Sequence, residues 1–344
     1  MSTALQGVHP DHETMPRSDP AAGAARPVDV SVVIISWNSG RWIERCLASI
    51  PAAAGSLSWE TIVWDNASSD RSATLAERMH AENTEVIASP VNRGFAGGIN
   101  EVLPRLRGRH VFLLNPDCAP EPRSIETLGR FLDAGDAAGA APMLVGEDGR
   151  TQREFQLRRF PTLRSILADV LLFEEIHPSN RASRSYRYGD LDVTRAQPVE
   201  QPAAAALMLQ RGTLERVGAF DERFLPAWFE DVDYCRRIAE SGGTLLLVPS
   251  ARVVHSGGST LEVLGFGAFH ELWYRNLHRY AAKWLRRPEA EAVRWGIMVG
   301  MILRGVATTI GFRGGAPSRR EALRAWHRVL RQAWRRWDET SRSS

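Results

Sequence analysis

Two groups of carboxylates stand where they can do chemistry. Asp117 follows the apolar run His110-Val111-Phe112-Leu113-Leu114 through the short link Asn115-Pro116. A carboxylate at a strand exit can bind a hard divalent cation, Mg²⁺ or Mn²⁺, and diphosphate oxygens can complete its shell. Such an ion offsets the charge that builds on a departing nucleoside diphosphate. The alternative for Asp117 is a turn residue after a proline. The second group, Glu230-Asp231-Val232-Asp233, opens a helix-like stretch. Carboxylates in a first helical turn are favoured by the helix dipole, so a structural role comes easily. Helical spacing puts Glu230 and Asp233 on one face and turns Asp231 elsewhere. The approach to the cluster is apolar and aromatic, Phe224-Leu225-Pro226-Ala227-Trp228-Phe229. Such surroundings raise a carboxyl pKa and suit it to act as general base toward a hydroxyl. His255 ends another apolar run, just before Ser256-Gly257-Gly258. It is either a metal ligand or a histidine satisfied by packing.

These groups must be held by something, and the chain before them supplies it. Val30 to Ser36 is a β-branched run of the kind buried on both faces of a parallel sheet. Ser39-Gly40 opens a helix with Ile43, Leu47 and Ile50 on one face. Strands are expected over Glu60–Trp64, Val86–Ala88 and His110–Leu114, with helices over about 71–80 and 98–106 between them. This alternation predicts an α/β domain with a mainly parallel central sheet. Ligands of such sheets bind beyond the carboxyl ends of the strands. Asn38, Asp65-Asn66, Asn92-Arg93-Gly94 and Asn115-Pro116-Asp117 each follow an apolar run there. As a set they outline a nucleotide-sized cleft, although each is also a turn-former. Gly94, Gly97 and Gly98 precede a helix and allow close backbone approach to phosphate. Neither the dinucleotide G-x-G-x-x-G nor the P-loop Lys-Ser/Thr is present, which excludes those cofactor readings. Residues 150–200 hold a basic patch (Arg153, Arg158, Arg159), an apolar helix near Leu163–Phe173 and a polar stretch, read as an acceptor-side insertion or mobile loop.

Charge is unevenly placed. The 344 residues carry a net +3, yet residues 284–344 hold thirteen Arg against five acidic residues, a balance of +8, leaving the rest at −5. A basic tail seeks an anionic partner. Trp295–Phe312 is apolar but, at 18 residues with Arg304 in its midst, falls short of the about 20 needed to span a bilayer. Ser318 and Glu321 fit a capping box, and Leu323, Trp326, Leu330, Trp334 and Trp337 form one helical stripe among arginines. That pattern suits a helix lying in an anionic membrane interface, the alternative being one packed on its own domain or on a second copy in a homo-oligomer. No recognition module for nucleic acid accompanies the charge. Cys46, Cys118 and Cys235 are few and scattered, as expected of buried thiols in a reducing compartment. Residues 1–27 read as a disordered leader without an apolar signal segment.

With these residues assembled, the chain resembles the family 2 glycosyltransferases, and within them the bacterial rhamnosyltransferase-like branch. The likeness runs from about Val28 to His255. It rests on Ser36-Trp37-Asn38-Ser39, Trp64-Asp65-Asn66-Ala67-Ser68-Ser69-Asp70, Asn92 to Asn100, Asn115-Pro116-Asp117, Phe220-Asp221-Glu222-Arg223-Phe224 and Phe229-Glu230-Asp231-Val232-Asp233. The resemblance implies a GT-A domain over residues 28–280, followed by a helical, basic tail over 281–344. It implies a divalent metal, Mg²⁺ or Mn²⁺, and inversion at the anomeric carbon. Asp65 would bind the donor's base, Asp117 the metal, and Asp231 would deprotonate the acceptor. His255 would complete the metal site. Asn38, Asn66, Arg93, Gly94 and Asn115 would line the donor side, and Trp228 and Glu230 the acceptor side. The motif position that often carries two carboxylates reads Asn115-Pro116-Asp117, with one, which makes His255 more important. The branch favours dTDP-rhamnose as donor, with UDP-galactofuranose, glucose and N-acetylglucosamine donors still open. A lipid-linked saccharide acceptor would keep the enzyme cytoplasmic, peripheral at the inner face of the cell membrane. A nucleotidyltransferase would want a basic Gly-rich loop after the first strand, which Ser36-Trp37-Asn38-Ser39 lacks. A non-catalytic sugar-nucleotide sensor would need Asp65 but neither Asp117 nor Asp231.

Overall fold

The computed structural model describes residues 28–79, 83–177, 180–257, 259–311 and 314–335. The expected leader, and Trp337 of the tail stripe, lie outside them. The strands are β1 (Val28–Ser36), β2 (Trp59–Asp65), β3 (Thr84–Ala88), β4 (Gly108–Leu114), β5 (Cys118–Pro120), β6 (Gly139–Val145), β7 (Leu157–Arg158), β8 (Gln197–Val199), β9 (Gln201–Pro202), β10 (Ala206–Gln210) and β11 (Leu245–His255). The helices are α1 (Ile43–Ala54), α2 (Ser72–Arg78), α3 (Gly94–Val102), α4 (Ser124–Asp133), α5 (Arg153–Gln156), α6 (Leu163–Val170), α7 (Phe173–Ile176), α8 (Arg181–Tyr186), α9 (Arg211–Val217), α10 (Glu230–Glu240), α11 (Ser259–Trp284), α12 (Arg287–Thr309) and α13 (Arg319–Trp334).

One sheet runs β3-β2-β1-β4-β10-β6-β11-β5, with β8 added beside β11. β1, β2, β3, β4, β6 and β11 point the same way, and β10, β5 and β8 oppose them. The β-branched run of β1 explains its central place. Val30, Val32 and Ile34 enter the core under α1 and α4, while Val33 and Ile35 enter the core on the other face with Ile99 and Val102 of α3. A strand covered on both sides needs apolar residues at every position. Register then levels the strand exits, Ser36 opposite Asp65 and Asp65 opposite Ala88. β11 pairs with β5 so that His255 lies opposite Cys118. That pairing carries His255 to Asp117 across more than a hundred residues of chain.

Residues 150–200 hold the short helices α5 to α8 rather than one open loop, and β7 pairs with β9 in a small second sheet. The C-terminal helices α11 to α13 share an apolar cluster with Ile166 and Val170 of α6 and with Phe224, Phe229 and Val232. α11 (Ser259–Trp284) runs across position 280. Gly265, with φ 71°, divides α11 into two helical segments.

The tail stripe is redistributed. Trp326 is 3% exposed and its Nε1 donates to Thr308 Oγ1 at 3.2 Å; Ala322, Ala325, Val329 and Ala333 are buried beside it. The apolar face of α13 therefore packs mainly on its own domain, leaving Leu323 and Trp334 outside. The guanidinium of Arg304 is buried, donating to the carbonyl of Val170 at 2.5 Å and to that of Asp169 at 3.4 Å. Gly300 permits this approach, since a Cβ there would meet the Val170 carbonyl.

Candidate active site

A cavity of about 450 Å³ opens beyond the carboxyl ends of β1, β2 and β4. Of the residues expected at the site, Asn66, Gly94, Asn115, Trp228, Glu230 and Asp231 line it. Asn38, Asp65, Arg93, Asp117 and His255 are not among the lining residues, though Asp65 and Asp117 adjoin Asn66 and Pro116, which are. Of the three carboxylates expected to share one pocket, only Asp231 lies on the cavity wall.

At the β1–β2 end, the polar residues tie the strand-exit loops to themselves and to one another. Asp65 is 3% exposed and accepts from Ser68 twice, from its N–H at 3.0 Å and its Oγ at 2.6 Å. Asn38, in the left-handed region that asparagine tolerates (φ 50°), accepts from the Ser69 N–H at 2.8 Å. Asn66 accepts from Trp64 Nε1 and from the Arg93 N–H, and donates to the Gly94 carbonyl. Arg93 extends its side chain back to Glu101 at 3.3 Å. Gly94 has φ 69°, and a Cβ there would lie 2.6 Å from the Pro226 carbonyl. The missing side chain serves the packing of this loop against residues 224–229.

Asp117 and His255 face one another, with Nε2 and Oδ2 separated by 3.6 Å. Gln152 fixes the imidazole. Its Nε2 donates to the His255 carbonyl at 2.9 Å, which turns its Oε1 to the ring Nδ1 at 2.6 Å. An acceptor at Nδ1 leaves the proton there and directs the Nε2 lone pair at the Asp117 carboxylate. Two electron-rich atoms confronting each other fit a cation held between them. Burial also lowers the pKa of His255, opposed by the charge of Asp117, which favours the neutral, ligating ring. Cys118 lies in the same buried group. Burial pushes its thiol well above the usual range, and its Sγ donates to the Ala205 carbonyl at 3.3 Å, so it stays protonated. A carboxylate and an imidazole suit Mn²⁺ better than the all-oxygen preference of Mg²⁺. Phe155, on the cavity wall, stacks on His255 with ring centroids 4.7 Å apart.

At the other end the acidic cluster divides: Asp231 and Asp233 part as helical spacing predicts, but Glu230, expected to share a face with Asp233, lines the cavity with Asp231 instead. Asp233 is fully enclosed, bonded to Lys283 Nζ at 2.7 Å, Arg237 Nε at 3.1 Å and Trp284 Nε1 at 2.8 Å. Asp231 turns to the cavity, accepting the Val232 N–H at 2.8 Å and the Ala204 N–H at 3.3 Å. Glu230 is buried, and its Oε2 has no hydrogen-bond partner among the described residues. Burial raises the pKa of both. Asp231 adds to the rise at Glu230, while Arg158 pulls Asp231 partly back. The cluster is presented by Trp228 and Phe229, both left-handed at φ 72°, a conformation costly for aromatic residues. Asn276 sustains it. Fully buried on α11, its Nδ2 donates to the carbonyls of Phe224, Ala227 and Trp228 at 3.0, 2.8 and 3.2 Å. Arg275 and Arg279 bind the neighbouring carbonyls of Leu225 and Arg223. Trp228 packs edge-on against Phe269 at 4.8 Å and borders Trp273, and all three line the cavity.

Gln152, Asn276 and Tyr186 carry no motif and escape the sequence reading. The signal for Asn276 was an amide among the apolar residues of α11. Arg158 was visible in the basic patch and stands on the cavity wall.

Residues 31–194 match the family described as "Glycosyl transferase family 2". Over 289 residues the chain is 27% identical to the N-acetylglucosaminyl-diphospho-decaprenol L-rhamnosyltransferase of Mycobacterium tuberculosis (strain H37Rv), covering 79% of this chain and 90% of that one. It is 21% identical over 233 residues to rhamnosyltransferase WbbL of Escherichia coli (strain K12), covering 66% and 83%. Among solved structures, the mannosyltransferase PcManGT from Pyrobaculum calidifontis, in complex with GDP-Man and Mn²⁺, superimposes with a TM-score of 0.52 at 16% identity, covering 93% and 91%. That likeness is one of fold, a GT-A-like α/β domain.

Proposed function

Because this chain belongs to the family 2 glycosyltransferases, in their rhamnosyltransferase-like branch, we propose that it transfers a sugar, rhamnose in the first place, from a nucleoside diphosphate to a hydroxyl of a lipid-linked saccharide, with inversion. The observation that carries this reading is Asp231: a carboxylate on an aromatic-walled cavity, made more basic by burial, a residue away from a second buried acid. In the proposed step an acceptor hydroxyl lies against Asp231, which takes its proton. The oxygen forms its bond to the anomeric carbon as the bond from that carbon to the diphosphate oxygen breaks on the opposite side. The nucleoside diphosphate leaves with the electron pair. Trp228, Phe269 and Trp273 offer apolar ring faces to a sugar and exclude water. Asp65, Asn66 and Asn115 are the donor-side residues, with Asp65 held by Ser68 for the base. When bound, a divalent cation between Asp117 and His255 would offset negative charge on the departing diphosphate.

The similarity to an enzyme whose name includes a decaprenol-linked diphosphosugar supports the lipid-linked acceptor, and such an acceptor would bring the chain to a membrane surface. The test is transfer and donor hydrolysis with dTDP-rhamnose, UDP-galactofuranose and UDP-N-acetylglucosamine, with and without Mn²⁺. Turnover of one donor that stops with Asp231→Asn is expected. Donor binding without turnover of any of them would favour a sugar-nucleotide sensor instead.

A further inference from the structure

α12 is built with its polarity reversed. Between Trp295 and Ile310 its exposed side chains are Trp295, Val299, Ile302, Leu303, Val306 and Ile310, with Thr309 alone as a polar one. Val306 is 59% and Ile310 84% exposed. The helix's arginines in this span and just before it point the other way. Arg304 is buried on the carbonyls of α6, and Arg294 is buried with its Nη1 on the Ala333 carbonyl at 3.3 Å. A contiguous apolar face of this kind, on a stretch of helix whose arginines are buried, marks a surface that meets something other than water.

We propose that this outer face of α12, together with Trp334, lies in the headgroup boundary of an anionic bilayer, parallel to its plane. Charge selects the partner. α13 packs along α12, and Trp334 meets Trp295 edge-on at 6.5 Å. The exposed charged residues of α13 are Arg319, Arg320, Arg324, Arg328 and Arg331, followed at its end by Arg335, with no exposed acid among the described residues of the helix. Anionic headgroups answer that row of guanidinium groups, and paired tryptophans suit the boundary between tails and headgroups. A second copy docked through the same face would bring two arginine rows together. No helix among the described residues is long and apolar enough to cross a membrane, which agrees with a helix lying on the surface. The inserted side is thus α12, whereas the tryptophan stripe of α13 faces largely inward. The inference stands on this face alone and needs no particular donor or acceptor.

The test is co-sedimentation of the full chain with vesicles of phosphatidylcholine and with equimolar phosphatidylcholine and phosphatidylglycerol. Parent protein should pellet with the anionic vesicles and much less with the neutral ones. Ile302→Glu with Val306→Glu should weaken that partitioning by about 100-fold, from two apolar side chains denied burial, with thermal unfolding unchanged. Arg324→Glu with Arg331→Glu should remove the preference for anionic lipid. As a measurement that leaves α12 uncharged, brominated phosphatidylcholine mixed with phosphatidylglycerol should quench part of the tryptophan emission, and Trp295→Phe should bind equally while losing part of that quenching. Asp231→Asn should bind vesicles as the parent does, which separates this inference from the proposed chemistry. Parent protein that stays in the supernatant, or a double glutamate variant that pellets as the parent does, would overturn the proposal. So would a dimer of the parent that the same variant splits into monomers, since a second copy would then cover the face.

Discussion

At the β1–β2 end of the cavity, Asp65 bonds within its own loop, while Asn38 and Asn66 bond to the neighbouring strand-exit loops. At the α10 end the reverse holds, with Glu230 Oε2 unpartnered among the described residues and Asp231 pushed by burial toward its protonated form. The first region is a shape held by satisfied polar groups, suited to receiving a ligand unchanged. The second holds carboxylates in surroundings that favour taking up a proton, and so suits chemistry. Asp233 sharpens the contrast within a single helical turn, because two cations and an indole N–H make it a structural anchor.

The largest expected effect lies at Asp231. Asp231→Asn should lower kcat by about 10²–10⁴, or ~3–5 kcal/mol of barrier, with donor affinity kept. Equal turnover by variant and parent would break the division between the two ends. Asp233→Ala should act through stability, costing about 1.5–3 kcal/mol in denaturant titration, because it removes the acceptor of the Trp284 indole N–H and one partner each of Lys283 and Arg237. Activity per folded molecule should survive at low temperature. Asn276→Ala strips three carbonyls of their donor and should cost about 1–3 kcal/mol. It should also raise the acceptor KM more than it lowers donor affinity, since it loosens residues 224–228. Glu230→Gln should stabilise the protein at neutral pH by ~1 kcal/mol, read as a rise in Tm. The folded-state pKa of Glu230 lies above its unfolded value, so the folded form holds the extra proton and stability falls as pH rises from the ordinary carboxylate range to the raised pKa. The gain should therefore vanish below that range, where the parent is protonated in both states. Ser68→Ala, the smallest, should weaken donor binding by about 0.5–1.5 kcal/mol without moving the pH profile of kcat.

Much of the sheet was legible because β1, β2 and β4 are covered on both faces and so carry apolar runs, Val32–Ile35, Ile62–Trp64 and Val111–Leu114. The split between Asp231 and Asp233 followed from helical spacing alone. Boundaries were less clear. α3 begins at Gly94 rather than Gly98, because glycines that weaken helix propensity are required there by Pro226, Trp64 and Ile35. β10 begins at Ala206, after the turn that brings Ala204 to Asp231. Gln152 and Asn276 were beyond reach, since their partners lie about a hundred and about fifty residues away. For α13 the period showed two faces but could not tell which apolar partner one of them meets. The fold chose α11 and α12.

The buried guanidinium of Arg304 has a mechanical consequence. It rivets α12 to α6, and α6 belongs to the segment that also delivers Arg158 and Tyr186 to the cavity wall. Prising the two apart would strand a charge in an apolar seam, at a cost of several kcal/mol. The tail is therefore no trailing appendage. Whatever surface α12 rests on would tilt and steer the whole catalytic body as one rigid piece, so the direction in which the cavity opens would be set by how that helix lies.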